Sequence, residues 1–274
     1  MDTFLQKIKK FSWLVPLLAL VIIAIWWVET PAGLLGKADA IGYAVCHQIP
    51  ARTFHLDDRP LPLCVRCSGM YLGAMAGLIY QFLRRPRYGY LPTWKSGIPF
   101  VILAAAWAVD GLNSFVHLIP GIQGIYEPSH LLRLITGLGM GTAMAAIVAP
   151  IFHQTIWRQY EPKQVFDSYR AYLELFIIVA LVGILAWTEN PLILYPFALI
   201  SSAGVMVILA LVYTLVWVMF FRQENKFQSW KELIIPLSAG LLTAFLQIGI
   251  VDFLRYRLTR SEEHTSELQS RLHL

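Results

Sequence analysis

The chain has 274 residues, of which 57% are hydrophobic and 14% are charged. Soluble domains carry charge on about a quarter of their residues, so this composition excludes an ordinary soluble domain and indicates a membrane protein. The formal net charge of +5 does not indicate nucleic-acid binding, because most Lys and Arg residues lie in short loops between apolar segments. We therefore expect a lipid bilayer around the chain and no nucleic-acid partner.

Seven apolar segments predict membrane-spanning helices, since a span needs about 20 mainly apolar residues. The first is longer than the core of a cleaved signal peptide, and the nearest small-x-small triplet, Ala38-Asp39-Ala40, lies well beyond it, so we expect it to be retained. The segments lie at about 11–28, 67–83, 98–118, 131–152, 171–188, 192–221 and 233–251. The sequence predicts an all-α, polytopic membrane protein in which residues 1–259 form a single transmembrane domain.

Basic residues are concentrated in alternate loops. The short loops 119–130 and 189–191 contain no Lys or Arg. The basic loops are 1–10, 84–96, 153–170 and 222–232. Cytoplasmic loops of membrane proteins carry this excess of positive charge. The pattern therefore predicts a multi-pass protein of the cell membrane with a cytoplasmic N-terminus, and places the loop at about 30–66 outside.

All three cysteines lie in this outer loop or directly after it. Cys46 is followed by His47, and Cys64 and Cys67 form a Cys-x-x-Cys pair. Zinc and similar ions prefer thiolate and imidazole ligands, four of them in tetrahedral geometry. We therefore predict a site for zinc or another transition metal with these four ligands. Additional candidate ligands in the loop are His55, Asp57 and Asp58.

A redox role and a structural role remain open for the same cysteines. Cysteine pairs in an oxidising compartment tend to form disulfides. Cys64 and Cys67 would then be the redox pair of a membrane thiol–disulfide oxidoreductase. Alternatively, Cys46 would form a structural disulfide with one of them and leave one thiol free.

The third predicted span carries a polar face. Asp110, Asn113 and His117 are spaced by three and four residues and therefore share one side of a helix. A carboxylate inside a membrane span normally has a partner, and Arg133 near the start of the fourth span is the predicted one. With His130, these residues predict a polar pocket on the outer half of the membrane. Such a pocket suits a transporter or channel for an ion or small polar solute, whereas a structural Asp110–Arg133 pair would only fix the helix register.

Glycines recur every four residues in two spans. They are Gly69, Gly73 and Gly77 in the second span, and Gly137 and Gly141 in the fourth. A side of a helix without side chains lets another helix approach closely. We therefore predict that the second and fourth spans pack against each other.

Several motifs together resemble a prokaryotic membrane protein family known as domain of unknown function 2085. They are Cys46-His47-Gln48, Arg52-Thr53-Phe54, the segment LPLCVRCSGMYLG at 61–73, DGLN at 110–113 and SHLLRLITG at 129–137. The resemblance covers about residues 40–150. It implies a polytopic membrane protein and no established activity.

The sequence gives no catalytic assignment. It contains no Gly-rich phosphate loop, nucleophile elbow or zinc-protease helix. The C-terminal stretch RSEEHTSELQS resembles a translated sequencing adapter. We therefore expect residues 260–274 to be an artefactual, disordered tail.

Overall fold

Helices make up most of the protein. The computed structural model describes the backbone of residues 13–272 and the side chains of residues 13–259, so the basic segment 1–10 lies outside the described residues. The described part contains eight α-helices: α1 (Leu14–Glu29), α2 (Leu34–Val45), α3 (Val65–Arg84), α4 (Trp94–Val116), α5 (His130–Ile156), α6 (Tyr169–Trp187), α7 (Pro191–Phe220) and α8 (Ile234–Leu272). The prediction of an all-α membrane protein is confirmed.

The number of clear membrane spans is smaller than the seven predicted. Each predicted segment corresponds to a helix, but within residues 13–272 only α4 to α8 are long and apolar enough to cross a membrane by themselves. A sixth candidate is the pair of α1 and α2, which bends by 105° at its break. α3 falls outside this group because its sequence includes Arg66, Gln81 and Arg84. Its inner face is buried against protein, so it does not need an apolar surface all round.

The predicted outer loop at 30–66 is more ordered than expected, because it contains the helix α2. Gly33 breaks the chain between α1 and α2 with a φ of 80°. The Lys37 ammonium then donates to the last carbonyl groups of α1, including that of Thr30 at 2.8 Å and that of Trp27. A cation at a helix C-terminus satisfies carbonyl groups that have no partner within the helix. Lys37 is therefore a structural cap.

The glycines of α3 and α5 face each other. A Cβ atom on Gly69 would lie 2.8 Å from the carbonyl oxygen of Leu134, and one on Gly137 would lie 2.3 Å from that of Arg66. Equally short approaches occur at Gly73, Gly77 and Gly141. The two backbones therefore touch along several helical turns, and α3 is fixed against α5 without room for a methyl group.

The described basic loops lie together at one end of the bundle. The strand β3 (Tyr88–Tyr90) pairs in parallel with β4 (Glu161–Gln164). The backbone N–H of Arg158 donates to the Phe227 carbonyl at 2.8 Å. Three loops that the sequence assigns to the same side of the membrane thus meet. That this side is the cytoplasmic one stays a prediction.

The cysteine loop lies at the opposite end. It folds into α2, a 3-10 turn at Pro50–Arg52 and a hairpin of β1 (His55–Leu56) and β2 (Arg59–Pro60). At the other terminus, α8 continues as helix to Leu272, where a disordered tail was expected. Extending an existing helix avoids the cost of nucleating a new one, so a polar sequence can follow it.

Candidate metal centre

The three cysteines converge. The Sγ atoms of Cys46, Cys64 and Cys67 all lie within 4.8 Å of one another. Cys46 directly follows α2, Cys64 immediately precedes α3, and Cys67 lies in the first turn of α3. Cys46 is buried and the other two are partly buried, and all three are free thiols. Residues 47–63 therefore form a closed loop that returns the chain to its starting point.

Gln48 and Gly42 hold the two ends of this loop together. The Gln48 side-chain amide donates to the carbonyl of Pro62 at 2.9 Å and to that of Asp39 at 3.2 Å. A Cβ atom on Gly42 would lie 2.1 Å from the Pro62 oxygen, so only glycine fits there. These contacts bring the residue two positions before Cys64 against the end of α2.

Arg255 of α8 holds the Cys46 segment from the other side. Its guanidinium donates to the carbonyl groups of Tyr43, Cys46 at 2.7 Å and His47 at 3.4 Å. It also stacks over the Tyr43 ring at 4.2 Å. Arg255 was not predicted as a site residue, because no sequence motif connects it with a segment more than 200 residues earlier.

Hydrogen bonds among the three cysteines shift their pKa values. The thiols of Cys64 and Cys67 donate hydrogen bonds to Cys46 and lower its pKa to about 2, while burial acts in the opposite direction. The same bond raises the pKa of Cys64, because its proton is held by the Cys46 thiolate. The backbone N–H of Cys64 also faces the Cys46 sulfur at 3.4 Å. The neighbouring thiols therefore favour the thiolate form of Cys46, and a metal cation would stabilise all three as thiolates.

The arrangement fits a thiophilic metal. Zinc–sulfur bonds of about 2.3 Å in tetrahedral geometry place sulfur atoms roughly 3.8 Å apart. Separations within 4.8 Å reach that geometry with small side-chain rotations. The exposed His47 is not part of the converging group, and neither are the exposed His55, Asp57 and Asp58. Three of the four predicted ligands therefore come together.

Asp110 pairs with Arg66, so the prediction that its partner is Arg133 is wrong. The Arg66 guanidinium donates to the Asp110 carboxylate through Nε at 3.0 Å and also through Nη2. The carboxylate accepts further from Tyr126 at 2.9 Å and from Thr136 at 3.4 Å. Arg66 reaches Asp110 because it lies in the first turn of α3, between the two cysteines of the Cys-x-x-Cys pair.

The other predicted pocket residues are bonded to backbone. Asn113 accepts from the N–H of Ile125 at 2.7 Å and donates to the carbonyl of Tyr126 at 2.8 Å, which fixes the loop between α4 and α5. A His117 ring nitrogen lies 2.9 Å from the carbonyl oxygen of Asn113. A His130 ring nitrogen lies 3.2 Å from that of Ala51.

A large cavity lies elsewhere in the bundle. It has a volume of about 1160 Å³, lies among α4, α5 and α6, and is lined mainly by apolar side chains such as Leu103, Leu138 and Phe176. None of the five predicted pocket residues lines it. The polar residues thus form a bonded cluster, and this cavity is separate from them.

Arg133 links the polar cluster to the cysteines. Its side chain is 6% exposed, and its Nε has no hydrogen-bond partner among the described residues. Its guanidinium is within electrostatic range of Arg52, Arg66, Asp110 and Cys64. The sulfur cluster and the polar cluster therefore adjoin at one end of the bundle.

Comparison with known proteins finds relatives of the part of the chain that carries the cysteines. Residues 46–147 match the family described as predicted membrane protein (DUF2085). An uncharacterized protein of Methanocaldococcus jannaschii is 29% identical over 124 residues, which is 44% of this chain and 72% of that protein. An uncharacterized protein of Methanothermobacter thermautotrophicus is 30% identical over 109 residues, which is 40% of this chain and 88% of that protein. No solved structure matches the chain.

The fold and the site together define a polytopic helical membrane protein with a cluster of three cysteines at one end of its bundle. The chain belongs to the DUF2085 family of predicted membrane proteins. The matched region begins at Cys46 and includes all three cysteines, Arg66, Asp110 and Arg133. Helices α6 to α8 lie beyond it, although α8 supplies Arg255.

Proposed function

We propose that this protein is a metal-binding protein of the cell membrane, with its centre on the outer face. Cys46, Cys64 and Cys67 would hold zinc or another thiophilic transition metal. The observation that carries the proposal is the convergence of the three sulfur atoms within 4.8 Å. The loop that brings them together is fixed by Gln48, Gly42 and Arg255, which is typical of ligands oriented by surrounding contacts.

Three protein ligands leave the fourth coordination position open. Structural zinc sites normally have four protein ligands, whereas sites with three bind water or a substrate in the fourth position. The proposed centre is therefore suited to binding an exchangeable ligand or to passing on the metal. His47 stays a predicted fourth ligand, and its exposed ring would have to turn towards the cluster.

Metal analysis of the purified full chain tests this proposal. Protein purified without chelators should contain about one transition-metal ion per chain, and Cys64→Ser should lose it. The control His47→Ala should retain the metal if the three sulfurs suffice, and loss of metal would assign His47 as the fourth ligand. Folded wild-type protein that neither contains nor takes up metal would overturn the proposal.

The same proximity favours a second candidate, thiol–disulfide exchange. Exchange requires an attacking thiolate, and the neighbouring thiols lower the pKa of Cys46 and so favour this form. Thiol trapping in cells would then show two interconverting redox forms of a metal-free protein. The transport alternative stays a prediction, which solute flux in proteoliposomes with Asp110→Asn would test.

A further inference from the structure

Positive charge is in excess beside the cysteine cluster. Arg52 and Arg66 both donate to Ser114, Arg52 to its carbonyl oxygen at 3.0 Å and Arg66 to its hydroxyl oxygen at 2.7 Å, and both lie within electrostatic range of Arg133. The carboxylate in this group, Asp110, is already held by Arg66 and Tyr126. Glu127 on the neighbouring loop has a side chain that is 96% exposed and points its carboxylate towards His117 at 3.9 Å. Three guanidinium groups and one carboxylate therefore lie in this region.

The cysteine cluster does not neutralise this excess. Three thiolates around a divalent cation would carry one negative charge. Since the three arginines exceed Asp110 by two charges, one positive charge would remain beside the occupied cluster.

Arg133 is the group that lacks a partner. The residue is 6% exposed, and its buried Nε has no hydrogen-bond acceptor among the described residues. Burying a cation without a hydrogen-bonded counter-charge is strongly unfavourable. An anion placed between Arg133 and the other two arginines would satisfy it.

The surrounding backbone favours an anion at the same place. Arg133 lies in the first turn of α5, which begins at His130, and Arg66 lies in the first turn of α3, which begins at Val65. Helix N-termini present unpaired N–H groups and the positive end of the helix dipole. Arg52 is held towards this region by its bond to the Ser114 carbonyl at 3.0 Å.

We propose that Arg52, Arg66 and Arg133 form a binding site for a phosphate-type oxyanion beside the cysteine centre. The planar, forked guanidinium donors match the oxygen atoms of phosphate, and donors not used within the protein would bind one tetrahedral group. The site lies at the end of a membrane bundle, so the group is either inorganic phosphate or the phosphate of an anionic lipid headgroup. Both ligands have the same recognition chemistry.

Thermal unfolding of the full chain in phosphatidylcholine nanodiscs tests the site in two arms. The first arm adds inorganic phosphate against chloride at equal ionic strength, and the second replaces part of the lipid with phosphatidylglycerol. A ligand that binds only the folded protein raises its melting temperature. A rise with phosphate identifies the free anion, a rise with phosphatidylglycerol identifies the lipid, and no rise in either arm overturns the proposal.

Arginine variants test whether a rise in melting temperature comes from binding at this site. Arg133→Gln should weaken the apparent affinity at least about tenfold, because a charge-assisted hydrogen bond is lost. It should not lower the melting temperature without ligand, because the removed charge is unpaired. The control Arg59→Gln alters an exposed arginine that pairs with Asp39 in the same loop, and it should respond like wild type. An unchanged response of Arg133→Gln overturns the proposal. Arg52→Gln provides the same test if Arg133→Gln does not fold.

Discussion

Replacing Gly137 by alanine tests whether the contact between α3 and α5 positions the cysteines. The added Cβ atom would lie 2.3 Å from the carbonyl oxygen of Arg66 and 3.1 Å from the nitrogen of Met70. Both are backbone atoms, so no side chain can rotate away. Restoring an ordinary contact of 3.4 Å from 2.3 Å requires a movement of about 1 Å. Overpacking of this kind costs about 1–3 kcal/mol.

The movement should also disturb the metal centre, because Arg66 lies between Cys64 and Cys67. We expect Gly137→Ala to have a lower melting temperature in detergent and to retain less metal than wild type. Gly249→Ala is the matched control, since a Cβ atom there meets nothing within 4 Å. Alanine in that helix should leave stability unchanged or raise it by up to about 1 kcal/mol. Equal stability and metal content in the two variants would refute the reasoning.

Three further variants test the contacts around the site. Arg66→Gln leaves the buried Asp110 carboxylate without its cation and should lower the free energy of unfolding by about 3 kcal/mol in denaturant titrations; wild-type stability would show that the pair is unimportant. Gln48→Ala removes two hydrogen bonds and should lower the free energy of unfolding by about 1–2 kcal/mol. It should also lower the metal affinity 10–100-fold in a chelator competition, and an unaltered affinity would argue against a role of Gln48 in positioning the cysteines. Arg255→Leu should weaken metal retention by releasing the Cys46 carbonyl, whereas Arg257→Leu in the same helix should not; equal retention in both would remove Arg255 from the site.

The helices were predictable because their signals are local. Apolar length predicts a buried helix wherever it occurs, and each of the seven apolar segments is helical in the structure. Glycine spacing identifies a side of a helix without side chains, and α3 and α5 meet along such sides. The convergence of the cysteines was a hypothesis that followed from the types of ligand they provide.

The partner of Asp110 was not predictable in this way. Choosing between Arg66 and Arg133 depends on how α3 and α5 are rotated about their axes, which the sequence does not specify. Arg66 fell in the predicted outer loop, because the second apolar segment begins at residue 67. The glycine contact turns the first turn of α3 towards α4 and brings Arg66 to the carboxylate.

Contacts between residues far apart in sequence account for the remaining differences between the predicted and the observed structure. Lys37 lies in the predicted outer loop, yet its role as a cap of α1 depends on a 105° bend that the sequence marks only by Pro31 and Gly33. His47 is adjacent to Cys46 in sequence, but its side chain is exposed while that of Cys46 is buried. Adjacent residues at the end of a helix commonly point in different directions, so neighbouring positions did not ensure a shared site.

X-ray absorption spectroscopy at the edge of the metal that copurifies with the protein is the most direct test of the proposed centre. The three converging sulfur atoms predict three sulfur neighbours at about 2.3 Å and one lighter neighbour in the fourth position. The Cys46→Ser variant should show one sulfur neighbour fewer. A first shell made only of oxygen and nitrogen atoms would contradict a metal centre built from Cys46, Cys64 and Cys67.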